Sequence, residues 1–234
     1  MPTRDHDYRE YTMKKHALNL LLTAAAGILI LLALPGCGRP NHGDPEVATA
    51  MRLYEKRQFA SAVPHLEKAL QLPLRVYTQC EVLTMIGNCY NELEQYEKSL
   101  EYHDRAIAVD PNHHEAYVNK GVVCRLLGDY EEAGRLYARA LELAPDYAEL
   151  HASLGALSIH RGNYEASVKQ LERAVQLDDR LAVAHSNLAF AYAAVGRFDD
   201  ADKELKKAVV RGYHQADVIR ERIEQFRRAA AGGN

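Results

Sequence analysis

A register of small and aromatic residues returns along this chain every 34 residues, and that recurrence leaves few folds open. Gly87, Gly121 and Gly155 share one column, with Ala189 in the same place one period later. Tyr96, Tyr130, Tyr164 and Phe198 share a second column, Ser99, Ala133, Ser167 and Ala201 a third, and Ala106, Ala140, Ala174 and Ala208 a fourth. Gly128, Gly162 and Gly196 stand two residues before the aromatic, where the preceding unit has Glu94. An earlier unit carries Phe59, Ala62, Ala69 and Leu72 at the same internal spacing but joins the next by a step of 37, so about three residues are inserted near 74–79.

Each column has a physical reason. Small residues let two antiparallel helices approach closely, because no large side chain separates their backbones. A glycine between the two amphipathic patterns accepts a left-handed turn at little cost. Pro111 and Pro145 cannot extend the helix before them and so close their units, whereas Asp179 and Tyr213 take that place in the last two and define those ends less sharply. One unit has about six large apolar side chains, worth ~1.5–3 kcal/mol each when buried, against ~1–2 kcal/mol per ordered backbone residue. A single hairpin cannot stay folded on that balance, so neighbours must stack to cover its apolar faces.

The glycine–aromatic–alanine pattern, with proline closing the unit, resembles the tetratricopeptide repeat, a helix–turn–helix unit. The resemblance spans roughly residues 44–215 and implies an all-α, right-handed superhelical solenoid of about five repeats at 43–76, 80–113, 114–147, 148–181 and 182–215. The third unit carries the fullest pattern. The first is degenerate, with Ala50 in the close-contact glycine column and Pro64 early in its second helix. Residues 216–234 read as a capping helix and tail, with Ala216, Ile219, Ile223 and Phe226 on one apolar stripe and Arg220, Glu221, Glu224, Arg227 and Arg228 facing outward.

The first 36 residues read as a signal peptide. Lys14, Lys15 and His16 precede the apolar run 17–34, and Leu34-Pro35-Gly36-Cys37 follows. That ending resembles a bacterial lipoprotein signal, which implies acylation (palmitate included) of Cys37 as the new N-terminus, with Met13 as a candidate true start. An uncleaved transmembrane anchor is the alternative, for which an 18-residue run interrupted by Asn19 and Thr23 barely suffices. Either reading puts the repeats in the cell envelope, and by the resemblance Gly38 after the cysteine implies an outer-membrane protein facing the periplasm. Residues 37–45 then form a lipidated tether.

No familiar catalytic or cofactor motif emerges from the remaining residues. Net charge is −3 with mixed signs, which does not point to nucleic acid. No CxxC, HExxH or phosphate-loop motif occurs. Cys80 and Cys89 lie too far apart along one helix to bridge, while Cys89 and Cys124 on neighbouring units admit a disulfide or two small buried thiols. His151 and His185 share a column, but equivalent helices ~8–10 Å apart cannot share a metal held by bonds of ~2 Å. His113-His114-Glu115 reads as a solvated first turn. No metal, cofactor or small-molecule substrate is therefore expected.

In the tetratricopeptide-repeat family the first helix of each unit lines an inner groove. Carried onto this sequence, that implies a partner-binding face of Asn88, Asn91, Val118, Asn119, Val122, Arg125, Ser153, Ile159, Asn187 and Phe190. Asparagines donate and accept at once and suit a peptide backbone. Val118, Val122, Ile159 and Phe190 are expected as an exposed apolar stripe; Asn119 and Asn187 have a second reading, as braces for the next helix. Some relatives hold a chaperone C-terminus with a carboxylate clamp. Here its asparagine places hold Asn88 and Asn119, but its cationic places hold Thr84, Glu149 and Ser153. The function read from the sequence is a non-catalytic scaffold or adaptor binding a peptide or protein partner, in envelope, secretion or pilus assembly. A soluble co-chaperone-like module is the alternative, and a metal-dependent enzyme or regulator a third.

Overall fold

The structure, a computed structural model, describes residues 42–232. The signal segment, the apolar run and Cys37 lie outside the described residues. Five helical hairpins follow one another: α1 (Asp44–Glu55) with α2 (Phe59–Leu70), α3 (Gln79–Glu92) with α4 (Tyr96–Val109), α5 (His114–Leu126) with α6 (Tyr130–Leu143), α7 (Ala148–His160) with α8 (Tyr164–Leu177), and α9 (Ala182–Ala194) with α10 (Phe198–Val210). Helix α11 (Ala216–Gly232) closes the stack, and no strand occurs among the described residues.

Local chemistry sets the helix ends. Thr78 and Glu81 form a reciprocal capping box at α3. The Asp129 carboxylate accepts the Glu132 N–H at 2.9 Å, and the Asn163 side chain accepts that of Ala166 at 3.2 Å. Between the helices of each hairpin the backbone turns through a left-handed residue. Gly128, Gly162 and Gly196 supply it with φ of 84°, 72° and 81°, but Arg57 and Glu94 adopt φ of 57° in the first two units. The hairpin geometry therefore persists without glycine. At the far end Gly212, φ 91°, stops α10, so the last unit ends as sharply as those closed by proline.

The close-contact column works as a set of notches. A Cβ built on Gly87 would lie 2.6 Å from His103 Cε1, one on Gly121 2.5 Å from Tyr137 Cε1, and one on Gly155 2.4 Å from Leu171 Cγ. His103, Tyr137, Leu171 and Leu205 occupy one register of the second helices, and each of the first three plugs the notch of its own hairpin. The serines of the third column do more than stay small. Ser99 Oγ donates to the Gly87 carbonyl at 2.8 Å and Ser167 Oγ to that of Gly155 at 3.0 Å, both buried.

Successive units are locked by a side chain that reaches six residues back. Tyr117 Oη donates to the Pro111 carbonyl at 3.2 Å, His151 Nε2 to that of Pro145 at 2.8 Å, and His185 Nε2 to that of Asp179 at 2.8 Å. The other ring nitrogens meet Gln170 Oε1 at 2.8 Å and Glu204 Oε2 at 2.5 Å. The shared histidine column is thus consumed in backbone capping. The His113–His114 pair is likewise not solvated: His113 Nε2 meets Thr84 Oγ1 at 3.1 Å, and His114 packs edge-on to Tyr147 at 4.8 Å.

From His42 onward the backbone is held by the first unit. Gly43 N–H donates to the Pro73 carbonyl at 2.9 Å, and the Asp44 carboxylate accepts the N–H groups of Arg75 and Val76 at 3.2 and 3.3 Å. Burial pushes the Asp44 pKa up, but these backbone donors outweigh it and hold it below the usual value. Asp44 therefore clips the inserted connection between α2 and α3 onto the start of α1. In α11, Ala216 and Ile223 are buried and Ile219 and Phe226 pack on the last core cluster. Arg227, expected to face outward, lies over the Phe198 ring at 5.4 Å and pairs with Asp202 at 2.9 Å.

Candidate functional site: the face of the first helices

Helices α3, α5, α7 and α9 pack side by side, while the second helices of successive units make no comparable contact. The first helices are therefore the inner layer of the stack, and their free face is the candidate site. Helix α1 stands off from α3, because the residues inserted after α2 widen that step. Between them opens a pocket of about 230 Å³ lined by Ala50, Met51, Tyr54, Glu55, Leu66, Met85, Asn88 and Cys89. It is smaller than the ~300–1,000 Å³ of typical small-molecule sites and suits one side chain of a larger partner. Burial pushes the Cys89 thiol up to about 12, with Glu92 adding to the rise, so it stays a protonated apolar wall at neutral pH. Tyr54 is held up to about 12 by burial first and then by Glu92 and Cys89.

Along the rest of the face, Asn88, Asn119 and Asn187 are half-buried, and their side-chain amides have no hydrogen-bond partner among the described residues. They do not brace the next helix. Asn91 Oδ1 is buried without a partner. Val122 and Ser153 are half-buried. The apolar stripe is shorter than expected. Val118 is 2 % exposed and joins the core cluster of Tyr137, Ala140 and Leu150, because the neighbouring α7 closes over the first turns of α5. Ile159 packs partly on the last core cluster, and Phe190 lies in an edge-to-face set with Phe226 at 5.5 Å and Tyr164 at 6.2 Å. The capping helix thus covers the far end of the stripe.

Two family models of the tetratricopeptide repeat match the chain, one over residues 78–146 and again over 113–180, the other over 182–202, together more than half of it. The chain belongs to the tetratricopeptide-repeat family. The repeat protein TTC0263 of Thermus thermophilus is 22% identical, with 79% of this chain and 98% of that one covered and a TM-score of 0.65. MamA (residues 41 to the end) from Desulfovibrio magneticus RS-1 is 20% identical, with 74% and 96% covered and a TM-score of 0.53. At these identities the likeness is one of fold. No curated protein matches this one in sequence.

Tetratricopeptide repeats are interaction modules, generally non-catalytic, and this stack offers the surface that such a role uses. Of the clamp positions, Thr84 is buried and spent on His113, which leaves no cation or free hydroxyl there. Cys80, Cys89 and Cys124 are free buried thiols, so the Cys89–Cys124 disulfide does not form. Among the described residues no three His, Cys, Asp or Glu side chains gather closely enough to hold a metal ion, and no helix is long and apolar enough to cross a membrane.

What the sequence missed here is the pocket. Its signal was the step of 37 between the first two units, visible as an insertion but not as a gap between inner helices.

Proposed function

We propose that this protein is a non-catalytic adaptor that holds an extended segment of a protein partner along its first helices. The observation that carries the reading is the row of unspent amides at Asn88, Asn119 and Asn187, running on from a pocket sized for one apolar side chain. A helix surface normally leaves such amides in water; three on one inner face, Asn119 and Asn187 in one column and Asn88 one turn along, match the alternating donors and acceptors of a peptide backbone. In the same reading, Cys37 carries the lipid that ties the repeats to the outer membrane on its periplasmic side, where the adaptor serves envelope, secretion or pilus assembly.

A photo-crosslinking residue at Met85 in intact cells tests the groove. A discrete adduct that disappears with Asn119→Ala plus Val122→Asp supports it, and an adduct indifferent to those changes refutes it. Cys37→Ala tests the anchor. The substituted protein should leave the membrane fraction, and persistence there after carbonate washing would remove the lipid from the proposal.

A further inference from the structure

Five cationic side chains among the described residues are half-buried: Lys120, Arg125, Arg139, Arg211 and Arg227. Four have a carboxylate. Lys120 pairs with Asp104 at 2.5 Å, Arg139 with Glu142 at 2.9 Å, Arg211 with Asp179 at 2.6 Å and Arg227 with Asp202 at 2.9 Å. Arg125, on the inner face of α5, has none. Its Nη1 meets His160 Nε2 at 3.1 Å, and its Nε is buried with no acceptor.

The surroundings of Arg125 do not supply the missing charge. Burial, and then Arg125 itself, hold the His160 pKa below its ordinary value, so the ring is neutral at pH 7 and offers a lone pair only. Tyr130 keeps His160 in place by stacking at 5.2 Å. Beneath, Tyr137 is fully buried and its hydroxyl has no hydrogen-bond partner of good geometry. Burial raises the Tyr137 pKa, and Arg125 and Ser153 lie near enough to oppose that rise. One period back, in the same column as Arg125, Asn91 Oδ1 is also buried and unpaired. A partly desolvated guanidinium without an anion is costly, and Arg125 is half-exposed, so an incoming anion can reach it.

We propose that Arg125 anchors a carboxylate of the bound partner, either an Asp or Glu side chain or the partner's own C-terminus. Turned toward the groove, the guanidinium presents a flat edge of N–H donors to two oxygens and gives up the neutral His160 for a charge-assisted pair. The position differs from those of the carboxylate clamp, whose cationic places are Thr84, Glu149 and Ser153 and whose asparagine places are Asn88 and Asn119 in this protein. The proposal rests on the groove reading above, and it names the chemistry of one partner residue.

The test is selection of a random-peptide library on the full-length protein, displayed once with a free C-terminus and once fused at both ends. Wild-type protein should enrich one fixed acidic position in the doubly fused library if a side chain is bound, or only free-ended peptides if the terminal carboxylate is. Arg125→Glu should exchange that position for Lys or Arg. Arg125→Gln, shown by circular dichroism to fold and melt as wild type does, should weaken the selected peptide by about 10- to 100-fold, the scale of a lost charged hydrogen bond. Peptides that depend on Asn119 and Val122 but show neither an acidic position nor a need for a free C-terminus would overturn the Arg125 proposal and leave the groove standing. Enrichment unaffected by any groove substitution, or none at all, would overturn both.

Discussion

His103 makes the stability of this stack depend on pH, and replacing it with leucine should remove most of that dependence. The ring is 0% exposed, plugs the Gly87 notch, and neither of its nitrogens has a hydrogen-bond partner. Burial first, then the charges of Lys120 and His113, lower its pKa from 6.5 to about 4. The sign follows from linkage. The folded protein holds a neutral ring that the unfolded one protonates below 6.5, so stability is intact above that pH and drains away as pH falls toward 4. At somewhat over ~1 kcal/mol per pH unit the whole loss is about 3 kcal/mol, most of it gone by about pH 4.5. Leu171 and Leu205 already fill the same register in later units, so leucine fits the site in kind.

His103→Leu should also be the more stable protein near pH 7, by about 1–3 kcal/mol, because two buried unpaired nitrogens vanish. The assay is urea unfolding of both proteins from about pH 7.5 to about pH 4.5, read as midpoints at common slope. Hydrogen exchange in α3 and α4 would serve as a local readout, since stacked repeats can open unit by unit. The stability gap between the two proteins should widen steadily as pH falls. A gap that stays constant across that range would refute the buried neutral imidazole.

Other substitutions probe the notches, turns and locks. Gly121→Ala should cost about 1–3 kcal/mol in chemical denaturation, because the new Cβ meets the rigid, fully buried Tyr137 ring, while Gly155→Ala should cost less, since Leu171 can change rotamer and Ala189 already faces Leu205 one unit on. Glu94→Gly should raise stability by about 0.5–1 kcal/mol by relieving the left-handed turn, visible as a higher urea midpoint. Ser167→Ala should cost about 1 kcal/mol by orphaning nothing but a carbonyl's second lone pair, and Ala133 and Ala201 show that the site accepts alanine. Glu204→Leu leaves the buried His185 Nδ1 unmet and should cost about 2–4 kcal/mol; a cost under about 0.5 kcal/mol would show that the pair does not hold α9 against α10.

The 34-residue period by itself determined the architecture, because small columns, turn glycines and closing prolines are local requirements of a helical hairpin that residue identity states directly. It also placed Asn88, Asn119 and Asn187 on one face, since a face is only a spacing on a helix. Four things were left to the tertiary structure, each depending on how one element leans on another. Whether Val118 is groove or core was decided by where α7 closes over α5. Whether Phe190 is free was decided by where α11 comes to rest. That an inserted connection becomes a pocket, and that Arg125 lacks the carboxylate its neighbours in kind all have, are facts about partners across helices, which no single segment of sequence records.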